Sequence, residues 1–110
     1  MIVRYAFFEG SIRDGMEEDF YKFVDEKLVP LWTQFDGAIE VRTYAERERD
    51  EGAPGFPLIL AIIYPDRAAL DRAMACDARF KSADETKNLL KMFDGRIHHH
   101  VTEAAVYPAT

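Results

Sequence analysis

Three consecutive residues, His98, His99 and His100, hold every imidazole in this 110-residue chain, within the run Arg96-Ile97-His98-His99-His100-Val101-Thr102-Glu103. The β-branched flanks and the continuation Ala104-Ala105-Val106-Tyr107 make this run part of a last strand rather than a terminal tag. Successive side chains on a strand point to opposite faces, so His98 and His100 share a face that His99 does not. A neutral imidazole takes or gives a proton near cellular pH, which suits acid–base work on an enolisable or phenolic substrate, and an arginine beside it would hold an oxyanion. The plainer account makes these histidines exposed strand residues satisfied by Glu103, Tyr44 or water. His98 and His100 stand about 7 Å apart by strand rise, a spacing open to two zinc ligands, yet no third ligand can be named and no metal is expected. The chain has no GxGxxG, phosphate loop, CxxC pair or nucleophile elbow, so bound nucleotide and iron–sulfur chemistry are not expected either. The residue types do not say which reaction, if any, is performed.

The length fits one domain, residues 1–110, with a single core. With 14 Lys+Arg against 20 Asp+Glu the net charge is -6, which repels phosphate backbones and anionic lipid, so neither nucleic acid nor membrane is expected as a partner. No apolar run reaches the 18 or so residues of a membrane span and the N-terminus does not read as a signal peptide, so a cytoplasmic location is expected. The one cysteine, Cys76, reads as a small core residue on a helix beside Met74.

The elements that would position the histidines follow from periodicity. Residues 2 to 8 form a strand with ladders Val3/Tyr5/Phe7 and Ile2/Arg4/Ala6/Phe8, and Arg4 is taken to mark the more polar face. Asp14 and Glu17 resemble a capping box, after which Met16, Phe20, Phe23, Val24, Leu28, Leu31, Trp32 and Phe35 trace a helix over about 15 to 35. Its aromatic residues read as core. Pro30 should kink it and Gly37 end it. Residues 38 to 47 alternate as a half-buried strand, with Glu40, Arg42 and Tyr44 on its polar side. Residues 46 to 57 form a charged, solvated loop, and Leu58 to Tyr64 is apolar on both ladders, as in a central strand. Asp66 caps a helix from Arg67, Ser82 to Glu85 reads as a box opening another that Gly95 closes, and the last strand covers 96 to 107.

The order strand, helix, strand, strand, broken helix, strand is the α+β, ferredoxin-like βαββαβ layout, a four-stranded antiparallel sheet with its helices on one face. The other face, apolar along the central strand, calls for cover, and a two-fold homodimer stacking sheet on sheet would supply it around a barrel-like chamber. Arg4, Arg42, Tyr44, His98 and His100 would line that chamber. Phe8, Tyr44 and Tyr64 would plug it if the protein were not built to hold a ligand.

This layout, with Leu28-Val29-Pro30-Leu31-Trp32, Phe35-Asp36-Gly37-Ala38 and Phe93-Asp94-Gly95-Arg96, resembles the dimeric α/β barrel superfamily. Within it the chain is most similar to EthD-like and stress-responsive barrel proteins. EthD-like members carry a histidine two residues before the helix proline, where this chain has Leu28. The resemblance implies a homodimer, with functions that range over cofactor-independent monooxygenases, lactone isomerases, polyketide cyclases and haem-degrading enzymes. The expectation is therefore a cofactor-free protein holding a small apolar or aromatic metabolite, as a monooxygenase or isomerase, with His98, His100 and Arg4 catalytic and Arg42, Tyr44 and Phe8 binding substrate. A non-catalytic stress or accessory protein with a filled barrel is the alternative, and a haem-binding protein a weaker one.

Overall fold

In the computed structural model, which describes residues 1–110, the first strand β1 runs from Ile2 to Ile12 and lies inside a four-stranded antiparallel sheet. It is followed by helix α1 (Glu17–Phe23), a π-helical segment (Val24–Leu28) and helix α2 (Val29–Trp32), then strands β2 (Glu40–Ala45) and β3 (Leu58–Tyr64). Helices α3 (Arg67–Met74) and α4 (Asp77–Leu89), a 3-10 turn (Leu90–Met92) and strand β4 (Phe93–Glu103) complete the chain. The sheet order is β2-β3-β1-β4, the expected ferredoxin-like topology. No helix is long and apolar enough to cross a membrane.

Register fixes the two faces. Ala6 stands opposite Leu60 on β3 and His99 on β4, and Arg4 stands opposite Ile62 and Val101. Ala6, Leu60 and Ile62 belong to the 16-residue core shared with Phe20, Val24, Leu28, Trp32 and Leu89 of the helical layer, so this ladder faces the helices. Tyr5 stands opposite Ala61 and His100, and Phe7 opposite Ile59 and His98, which puts those residues on the helix-free face. The reading that placed Arg4 and Phe8 on the helix-free face is thus corrected. A charged residue does not mark a solvent face when its long stem can run along core side chains and deliver its head to a cavity.

The expected kink at Pro30 takes a specific form. Proline has no N–H to give Glu26, and the chain widens by one residue ahead of it, so that Val29 N–H donates to the carbonyl of Val24, five residues back. Two expected capping boxes do not form. Met16, without a side-chain bond, begins α1 in place of the Asp14 box. Ser82 lies buried inside α4 and donates to the Arg79 carbonyl at 2.8 Å, so Cys76 and not Ser82 precedes that helix. Asp66 does cap α3, accepting the Ala69 N–H at 2.9 Å. Gly95 falls within β4 rather than ending a helix.

β1 and β4 reach beyond residue 8 and start before 96 because two glycines let their backbones close up. Gly10 pairs with Gly95, has φ +148, and a Cβ there would overlap the Asp94 carbonyl oxygen. Gly10→Ala is therefore expected to cost about 2 kcal/mol of stability or more, read from urea unfolding midpoints. An unchanged midpoint would contradict this close approach.

Candidate functional site

A cavity of about 220 Å3 opens between the helix-facing side of the sheet and the helical layer. Ala6 and Phe8 of β1, Leu60 and Ile62 of β3, Ile97 of β4, and Trp32 and Phe35 beside α2 give it apolar walls. Arg4, Arg79, Ser82, Thr86 and His99 supply its polar groups. It exceeds the roughly 150 Å3 apolar cavity that takes up benzene, so a molecule of one or two rings fits. A largely apolar concavity with a few converging polar groups is the usual composition of a small-molecule site.

Ser82 and Thr86 direct their hydroxyl hydrogens to helix carbonyls, Ser82 to Arg79 and Thr86 to Ser82 at 2.7 Å. The donors left for a ligand are the guanidiniums and the His99 ring. Burial and the neighbouring Arg79 lower the Arg4 pKa, an effect partly offset by Tyr64. His99 is exposed at the mouth of the cavity, yet the partial desolvation of its ring and then the charges of Arg4 and Arg79 bring its pKa down from 6.5 to about 4. At neutral pH it is an uncharged imidazole, able to accept a proton or donate a hydrogen bond. Tyr64 lies fully buried below the helical layer with no partner for its hydroxyl, and burial raises its pKa to about 12.

The structure parts the residues singled out from sequence. Arg4 and Phe8 line the cavity, whereas His98, His100, Arg42 and Tyr44 stand on the opposite, helix-free face of the same sheet. Phe8 and Tyr64 point into the core and cannot plug a chamber between sheets. On the open face His98 Nε2 lies 3.0 Å from Glu9 Oε1, so that nitrogen donates, and His98 Nδ1 is 3.3 Å from His100 Nε2. Glu9, and not Glu103 or Tyr44, is thus the partner of His98. Arg42 is held at 2.8 Å by Glu40. Leu28, where EthD-like proteins carry histidine, is fully buried in the core. No group of three or more metal-ligating side chains converges anywhere in the molecule.

Two cavity residues were missed. Strand parity puts His99 on the face away from His98 and His100, and Arg79 belongs to no motif in the sequence. The spacing Arg79, Ser82, Ala83, Thr86 is a helical stripe and could have revealed that face, but Ser82 to Glu85 also matches a capping box.

No protein-family model matches the sequence, and no curated protein resembles it in sequence. Among solved structures, an ethyl tert-butyl ether D (EthD) family protein from Bacillus halodurans superposes with a TM-score of 0.72 at 18% identity, over 96% of this chain and 100% of that one. SnoaB, a cofactor-independent oxygenase from Streptomyces nogalater, gives 0.64 at 15% identity over 96% and 94%. An antibiotic biosynthesis monooxygenase gives 0.62 at 17% identity over 96% and 100%. The chain shares the ferredoxin-like βαββαβ fold of these proteins. At these identities the likeness carries the architecture, and the chemistry has to be argued from the cavity.

One consequence of the His99 setting can be read without a ligand. Folding lowers its pKa, so between about 6.5 and 4 the folded state binds fewer protons than the unfolded one. The stability this residue contributes is complete above about pH 6.5 and is lost as pH falls toward 4. His99→Gln is expected to flatten the Tm profile over that interval, and an unchanged acid slope would contradict the assigned environment.

Proposed function

We propose that the protein is a cofactor-independent enzyme, a monooxygenase or isomerase, that forms an enolate or phenolate from a small apolar or aromatic metabolite in the helix-side cavity. The observation that carries this reading is the placement of a neutral His99 and the Arg4 guanidinium on one largely apolar cavity. His99 would take the proton from a carbon beside a carbonyl, or from a phenol. Arg4 would stabilise the oxyanion left behind, a role worth most where water is scarce. The two reaction types share this step. An isomerase returns the proton to another atom; an oxygenase lets the anion reduce dioxygen to a carbon-bound hydroperoxide, which loses one oxygen as water when that carbon, giving up a second hydrogen, becomes a carbonyl, so the substrate supplies all the electrons and neither reaction asks for a bound cofactor. The fold it shares with a cofactor-independent oxygenase supports the same reading.

Homodimer formation through the helix-free face belongs to this proposal. That face carries a strip in which Phe7 stacks on Tyr5 at 5.5 Å and on His98 at 5.7 Å, with Phe56 edge-on to Phe7 at 5.8 Å. Beside it lies a small apolar cluster of Val3, Ala61 and Ile63. An aromatic sheet face of this kind is costly to leave in water, and a second copy covers it by symmetry. His98 and His100 would then stand at the subunit interface, apart from the reacting groups.

Two measurements test these points. Wild-type protein is expected to accelerate deuterium uptake at the acidic carbon of 2-tetralone in D2O, with the acceleration reduced at least about 100-fold in His99→Ala and in Arg4→Gln. Exchange that survives both substitutions would contradict the assigned roles. Light scattering should give a dimer that Ile59→Asp converts to a folded monomer, and a monomeric wild type would overturn the interface.

A further inference from the structure

The charge balance around the cavity sharpens what its ligand must be. The chain has nine arginines in a protein of net charge -6. Six of them, Arg13, Arg42, Arg49, Arg67, Arg72 and Arg96, lie within 4.0 Å of a carboxylate. Only Arg4, Arg47 and Arg79 form no ion pair, and two of these three open onto the same cavity, whose walls include no Asp or Glu. Arg4 has no hydrogen-bond acceptor of any kind in the chain. Arg79 uses one amino group on the Met74 carbonyl at 3.2 Å and rests over the Phe80 ring at 5.6 Å, which fixes its plane and leaves the rest of its fork unused.

Two guanidiniums opening onto one cavity, close enough that Arg79 lowers the basicity of Arg4 and both lower that of His99, repel within a partly desolvated space. An acidic protein that pairs six of its other seven arginines has left these two without internal counter-charge. One cation suffices for the oxyanion formed during the reaction. The second, on the helix α4 wall, matches an anion that the substrate carries from the start, and a planar fork suits a carboxylate.

We infer that the substrate is an organic acid: a one- or two-ring, or comparably short, apolar body bearing a carboxylate that Arg79 anchors while Arg4 and His99 face the reacting carbonyl or phenol. This rests on the proposed function above and narrows its substrate class. Arg79 is on this account a specificity-determining residue. Its anion would also bring negative charge beside His99, so the bound ligand makes the imidazole a better base.

The sole tryptophan, Trp32, lines the cavity, so its fluorescence reports occupancy directly. The test compares 3-phenylpropanoate with its neutral amide, 3-phenylpropanamide, by Trp32 quenching at low salt and again at 0.5 M NaCl. The acid is expected to bind at least tenfold more tightly than the amide at low salt, with the ratio falling as salt is raised. Arg79→Gln should bring the ratio close to one, while Arg47→Gln, which changes an exposed unpaired arginine off the cavity, should leave it intact. Equal binding of acid and amide by the wild type would overturn the organic-acid inference while leaving an apolar ligand site standing. No quenching by either compound would overturn both. A preference for the acid that survives Arg79→Gln would also overturn the inference, because the anchoring cation would then lie elsewhere.

Discussion

Strand parity in β1 is the constraint on which the rest of this molecule depends. β1 lies between β3 and β4, so each of its residues assigns a neighbour on both sides to one face of the sheet. Ala6 carries Leu60 and His99 to the helical side, and Phe7 carries Ile59 and His98 to the open side. A slip of one residue would exchange the two sets, burying the His98–Glu9 pair and exposing the core ladder. The cost of that exchange holds the register. The register in turn places a single imidazole at the mouth of the helix-side cavity, and the two that flank it in sequence on the opposite face.

The helical layer meets this sheet over a core whose gaps are as informative as its contacts. Phe20, Val24 and Leu28 are buried against the sheet in one core cluster, the latter two within the widened turn that accommodates Pro30. Toward the β4 side, α4 presents Arg79, Ser82, Ala83 and Thr86 where larger apolar residues would have closed the packing. A void lined by arginine is not a defect of packing in the ordinary sense. Charged groups that are partly desolvated and unpaired work against stability, and their meeting on one cavity is the feature on which the proposed ligand site rests.

Much of this architecture was legible in the residues. The double apolar ladder of Leu58 to Tyr64, the Asp66 cap and the order of elements led to the observed sheet, and the alternation around the histidines gave the right faces to His98 and His100. The site was less legible, for two physical reasons. Arg4 sits on a ladder with Ile2, Ala6 and Phe8, and its charge suggested solvent although its stem packs with the core. His99 was passed over because a lone histidine between Ile97 and Val101 looks like the apolar side of a strand, which it is. What periodicity does not convey is that helix α4 stops short of filling the space above it. That depends on tertiary packing between elements far apart in sequence.

Ligand bound between sheet and helices, rather than on the open face, is reported by residues that alternate along the same strands. Methyl and imidazole NMR spectra recorded during titration with 2-tetralone are expected to shift Ala6, Leu60, Ile62, Ile97 and His99, with Val3, Ile59, Ala61, His98 and His100 left largely in place. Shifts concentrated on Ile59, Ala61, His98 and His100 would put the ligand on the other face of the sheet and contradict the assignment.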